Sequence, residues 1–228
     1  MEIESVFPKV LFTLGGVPIR DTVVHTWVIL AVLVGFAYWA RHRYRVWEPR
    51  PWQLGVETIV TYVDELIVDI AGRARPELVP FLTTMITFIA IANLLGLVPM
   101  LLAPTRDVNT TLALALISLA STYLYSIRAR GVGGWLKSYI EPVAFMLPLN
   151  LLGEISRVTS MSLRLFGNIV AGEIISAVMF MLVPLLSPLL MNLLGMITGV
   201  LQALVFTVLT LVFIIDATQL AEESESND

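Results

Sequence analysis

The chain has 228 residues, 57% of them hydrophobic and 14% charged, with a net charge of −4 and a mean hydropathy of +0.84. Soluble domains carry roughly 25% charged residues and need polar groups to cover their surface, so much of this chain has a bilayer for its solvent. That excludes a soluble enzyme, a nucleic-acid binder and a disordered chain, and the absence of cysteine removes disulfides, zinc–thiolate sites and iron–sulfur clusters.

The first residues, Met1 to Ser5, hold two acids where a cleavable signal peptide would be basic. A first membrane span is predicted over about 22–40, interrupted only by His25, since about 20 apolar residues cross the hydrocarbon. Arg41, Arg43, Arg45 and Arg50 follow. Val56, Ile59, Val60, Val63, Ile67 and Ile70 then recur at helical spacing, with Glu57, Asp64 and Asp69 away from them. This predicts an amphipathic helix over about 53–72, lying on the membrane surface or against a partner. After Arg73 and Arg75, the run from Leu78 to Thr105 has no charge and predicts a second span over about 80–103. The break Pro104-Thr105-Arg106-Asp107 leads to a third span over about 108–127, followed by Arg128, Arg130 and Lys137. The short apolar stretch Pro142 to Gly153 extends the next helix. From Val158 to Ile215 the only charges are Arg164 and Glu173, room for two long helices over about 155–183 and 189–215, divided at Pro184, Ser187 and Pro188. The acidic tail over 216–228 reads as solvated and disordered. No internal repeat supports an inverted-repeat transporter.

Basic residues in short loops set orientation. The clusters at Arg41 to Arg50, Arg73 to Arg75 and Arg128 to Lys137 lie on one side. The other side has Lys9, Arg20 and Arg106, the latter two offset by Asp21 and Asp107. Five spans then put the N-terminus outside and the C-terminus in the cytoplasm.

An ionisable group at membrane depth costs several kcal/mol, which singles out Arg164 and Glu173. They are nine residues apart, about 900° of helix rotation and so about 180° net. They face opposite ways and each needs its own polar surroundings. Asn168 falls one turn after Arg164, Ser160 one turn before and Arg157 two turns before, forming a polar stripe. On the last helix Gln202 is the one strongly polar side chain in mid-span; such a residue ordinarily makes an interhelical hydrogen bond. An arginine stays protonated when desolvated and cannot relay protons. It attracts a carboxylate 4 Å away by about 4 kcal/mol at an effective dielectric of about 20, and it repels cations. That chemistry suits a barrier between two ion pathways.

The run Ser162-Leu163-Arg164-Leu165-Phe166-Gly167-Asn168-Ile169-Val170-Ala171-Gly172-Glu173 resembles the signature of subunit a of F-type ATP synthases. Asn93-Leu94-Leu95-Gly96-Leu97-Val98-Pro99, Pro104 to Thr111, and Leu201-Gln202-Ala203-Leu204-Val205-Phe206 resemble that family's second-span, following-loop and last-span motifs, in the same order. The resemblance implies an all-α integral membrane protein of five transmembrane helices plus an amphipathic surface helix, with the last two helices long and tilted along a rotor ring. It implies that Arg164 is the essential arginine meeting the rotor carboxylate, Glu173 the acid of one half-channel, Asn168 a polar neighbour, Gln202 the partner of the arginine, and Asp107 with Asn109 an outer acid and its neighbour. It implies as partners the rotor c-ring, the peripheral-stalk b subunits, the remaining ATP synthase subunits and the lipid bilayer, with no nucleic acid, no cofactor and no metal. The location implied is the bacterial cell (inner or plasma) membrane. The chain itself has no glycine-rich phosphate loop, so its expected role is ion access without bond-making chemistry. It departs from the family with Val158 in place of a proline, and with Gly195 where many members carry a titratable residue. His25 and His42 fall outside the matched motifs. The other readings are the same role with Na+, a secondary transporter binding an anionic substrate at Arg164, and a purely structural scaffold.

Overall fold

The computed structural model describes residues 10–14, 17–45, 50–96, 103–140, 146–183 and 187–225. Its elements are β1 (Val10–Leu14), β2 (Val17–Arg20), α1 (Asp21–Arg43), α2 (Pro51–Ala71), α3 (Val79–Leu95), a 3-10 turn (Pro104–Arg106), α4 (Val108–Ile140), α5 (Met146–Leu182) and α6 (Ser187–Glu225). The described chain is thus helical apart from one short antiparallel hairpin, in which Leu14 pairs with Val17 and Thr13 with Pro18. Its strands are rich in β-branched and apolar residues.

Among the described residues four helical stretches are long and apolar enough to cross a membrane: Asp21–Arg43, Val108–Ala129, Leu147–Leu182 and Leu190–Thr218. Helix α3 is apolar but has 17 residues, a rise of about 26 Å. The uncharged run expected to continue as helix to residue 103 instead leaves the helix at Gly96. Residues 97–102 lie outside the described residues, and the chain returns as the buried turn Ala103 to Asp107. An apolar run reports burial and says nothing about continuous helix.

Helix α1 buries only Asp21, Thr22 and Ile29 and presents Trp27, Val32, Val34 and Tyr38 outward, each at least 60% exposed. Apolar side chains in that number on one outer surface belong against lipid. The inner bundle is α3, α4, α5 and α6. On α5, Val158, Met161, Ser162 and Leu165 are buried at helical spacing and pack with Phe88 and Ala92 of α3, Leu114 and Ala115 of α4, and Ala203 and Phe206 of α6. With Val158 in place, α5 runs without interruption from Met146. In the amphipathic helix, Val63 and Ile67 of α2 pack on Leu78, Leu82, Leu211 and Ile214, while Val56 and Ile59 stay exposed.

Two features differ from the expected layout. Helix α4 is broken at Gly131, whose φ of 74° only glycine adopts freely. Helix α6 runs on to Glu225, through most of the tail expected to be disordered. Alanine, glutamine, leucine and glutamate are strong helix formers, and extending an existing helix needs no new nucleus; 226–228 lie outside the described residues.

Candidate functional site

Helix α5 turns Arg164 and Glu173 to opposite sides, as their spacing requires. Arg164, Ser160 and Asn168 share the exposed side of the helix. Among the described residues Arg164 makes no hydrogen bond or ion pair, so its guanidinium faces away from the bundle. Arg157, expected to continue the stripe, folds onto α6 instead: its guanidinium carbon lies 3.8 Å from the centre of the Phe213 ring, and its Nη1 is 3.7 Å from Glu154 Oε2. Stacking on a ring suits the planar cation.

Asn168 reaches inward. Its Nδ2 donates to Gln202 Oε1 at 2.6 Å, bridging α5 to α6. Gln202 is buried, and its Nε2 has no hydrogen-bond partner among the described residues. The glutamine that the resemblance pairs with the arginine is therefore held by the asparagine one turn further along, with an amide N–H still to be satisfied beside the arginine's turn of helix. An unpaired buried donor costs about 1–3 kcal/mol, so the position invites an acceptor.

Glu173, half-buried on the other side of α5, meets Arg106: Arg106 Nε lies 4.0 Å from Glu173 Oε2. Arg106 is buried in the 3-10 turn. In the sequence Asp107 and Asp21 served only to offset the charge of Arg106 and Arg20 in their loops, and the structure gives Asp107 a distant partner. Consecutive residues on a turn point in different directions, so Asp107 turns away from Arg106. Its carboxylate takes Arg20 Nη1 at 3.1 Å to each oxygen and Thr22 Oγ1 at 3.0 Å. It also accepts the backbone N–H and Nδ2 of Asn109, each at 3.0 Å. Asp107 thereby caps α4, with its oxygen on the second helical N–H, and ties the hairpin and α1 to that cap. Burial pushes the Asp107 carboxyl up, but the Asn109 N–H, Arg20 and Thr22 outweigh it and hold the group below the usual carboxylate range.

Behind the turn, Thr105 Oγ1 donates to Asn93 Oδ1 at 2.8 Å and Asn93 Nδ2 donates to the Gly199 carbonyl at 2.9 Å. Thr105 and Asn93 are both buried. Thr111 and Ser162 meet at 3.1 Å between α4 and α5, and Ser118 and Thr210 at 2.8 Å between α4 and α6. Asn93 and Thr105 lie in the second-span and following-loop motifs, and the sequence alone does not mark either as a site residue. The available signal was that each is a polar residue inside an otherwise apolar run. The two histidines cap nothing catalytic: His25 Nδ1 and His42 Nδ1 lie 2.8 Å and 2.9 Å from the carbonyls of Asp21 and Tyr38, one helical turn back.

The sequence matches the family described as ATP synthase A chain over residues 23–215. It is 41% identical over 212 residues to ATP synthase subunit a 2 of a Picosynechococcus species, covering 92% of this chain and 91% of the relative. A Bradyrhizobium ATP synthase subunit a 2 is 40% identical over 214 residues, covering 94% and 96%. ATP synthase subunit a 1 of Chlorobium luteolum is 37% identical over 210 residues, covering 92% and 94%.

Proposed function

The chain belongs to the ATP synthase A chain family, and on that premise we propose that it is the ion-conducting stator subunit of an F-type ATP synthase, feeding protons to and from the carboxylates of a rotor ring through two half-channels. The observation that carries the reading is the division of α5 into two polar sides. Arg164 stands exposed beside the Asn168–Gln202 bridge, and Glu173 is tucked behind against Arg106.

On this reading a proton reaches a rotor carboxylate by way of the Glu173 side and neutralises it, so that it enters lipid without the cost of a buried charge. On return the carboxylate passes Arg164. The fixed cation favours its ionised form, the proton leaves to the other half-channel, and positive charge on the barrier stops ions crossing directly. Gln202, with its unsatisfied amide, and Asn168 steady the carboxylate's approach; Asp107 and Asn109 shape the outer end. The chain forms one membrane domain of five spans, with the short α3 counted among them and α5 and α6 lying tilted along the rotor. At 37 and 39 residues, about 55–59 Å of helix each, they exceed what an upright crossing of about 30 Å requires. The N-terminus lies outside and the C-terminus in the cytoplasm of a bacterial cell membrane. The other partners are the peripheral-stalk b subunits and the rest of the complex.

Arg164→Ala tests this directly. ATP synthesis in membrane vesicles is expected to fall to background, and passive proton flux through the membrane sector, stripped of its catalytic part, is expected to rise. An anion transporter would lose substrate uptake with no new leak, and a scaffold would tolerate the change. A tight Arg164→Ala membrane that still makes ATP would refute the stator reading.

A further inference from the structure

Arg106 belongs to none of the roles above, yet it is the buried cation nearest the relay acid. It sits 3% exposed in a three-residue turn between α3 and α4, with Nε 4.0 Å from Glu173 Oε2. The turn is pinned on both sides of Arg106. Thr105 is tied to Asn93, and through it to Gly199 on α6, while Asp107 is tied to Arg20, Thr22 and Asn109. Asp107 is thus engaged by those groups, and among the described residues Glu173 presents a carboxylate to Arg106. A long side chain held at its base by such bonds has little freedom of its own, so the point at which it meets Glu173 is fixed by the fold.

We infer that Arg106 is the positioning residue of Glu173, holding that carboxylate at the seam between α5 and the turn so that it presents one defined acceptor to the outer half-channel. The inference rests on the proposed relay role of Glu173. Glu173 is a flexible, three-torsion side chain on a helix face whose other residues, Ile169, Val170, Ser176 and Ala177, carry no charge. Without a fixed cation it has no reason to occupy one orientation, and ion transfer depends on groups held within hydrogen-bond reach of one another. A guanidinium, which stays charged when desolvated, supplies a fixed cation for that purpose at 4.0 Å.

The test is a double-mutant cycle in the assembled complex, reading passive proton flux through the stripped membrane sector, with the amount of this chain in that sector measured by immunoblot. Arg106→Gln keeps a polar side chain with an amide donor but removes the charge. It is expected to slow flux about as much as Glu173→Gln, at least fivefold at equal chain amount. The double variant is expected to be no slower than either single one, and Arg106→Lys to restore most of the rate. Losses that multiply in the double variant would mean the two act independently, and the inference fails. Wild-type flux in Arg106→Gln beside a slow Glu173→Gln overturns the positioning role and leaves the relay standing. Wild-type flux in Glu173→Gln removes the relay and this inference with it. Absence of the chain from the membrane in both Arg106 variants would mark a folding contact instead, which also overturns it.

Discussion

Asp107→Ala is expected to be the costliest single change at the end of the bundle where α3 turns into α4. The carboxylate side chain is 2% exposed and ties the Arg20–Thr22 stretch to the start of α4. Losing the cap on α4 costs about 1 kcal/mol. Thr22 is fully buried, and leaving its hydroxyl without an acceptor costs about 1–3 kcal/mol. Arg20 is 38% exposed and regains water, so its lost ion pair adds no more than about 1 kcal/mol. The sum is about 2–5 kcal/mol, large against the usual spread of single substitutions. Asp107→Asn keeps an oxygen for the cap and loses only charge, a cost of about 1–2 kcal/mol. Thermal unfolding of the purified complex, followed by the loss of this chain from the assembled peak, should rank wild type above Asn and Asn above Ala. The pH dependence has a definite sign. Because the folded Asp107 carboxyl lies below its ordinary value, its contribution is present above the unfolded value of about 3.9 and is lost as pH falls toward the folded one. Wild type and Asp107→Asn should therefore draw together as pH falls below about 4. An Asp107→Ala complex that melts with wild type, or an Asn gap that persists unchanged at low pH, would refute the clamp.

Gly199→Ala places a Cβ 3.1 Å from Asn93 Cβ, beneath the Asn93–Gly199 hydrogen bond. It should spread α3 from α6 at a cost of about 1–3 kcal/mol, seen as a lower melting temperature and less assembled chain; full stability would mean that the helices are not in contact there. For orientation, a cysteine at the exposed position Thr13 should react with an impermeant reagent only from outside, and one at exposed Ala74 only from the cytoplasm. Thr105, although in a loop, is fully buried, and a cysteine there should stay silent from both sides. Labelling of position 74 only from outside would invert the topology.

Composition and periodicity determined a good deal by themselves. A charge content of 14% can be satisfied only with lipid as part of the solvent, and the 3.6-residue period alone sent Arg164 and Glu173 to opposite sides of one helix. The ordered motifs pointed to the family, because they are local strings that need no folding to be read. What the sequence could not supply was pairing. Arg106 and Asp107 are adjacent and opposite in charge, and cancel on paper. Folded, Asp107 meets Arg20 from 87 residues away, and Arg106 meets Glu173 on α5. Asn168 takes Gln202 from 34 residues away, a contact decided by how α5 lies on α6. Likewise the uncharged run after Leu95 read as more helix, yet it leads into a buried turn whose polar groups are satisfied only once Asn93 and Thr105 lie side by side. Period and hydropathy are properties of one segment, whereas a buried charge or amide is stabilised by whichever segment folds against it, and only the tertiary structure decides that.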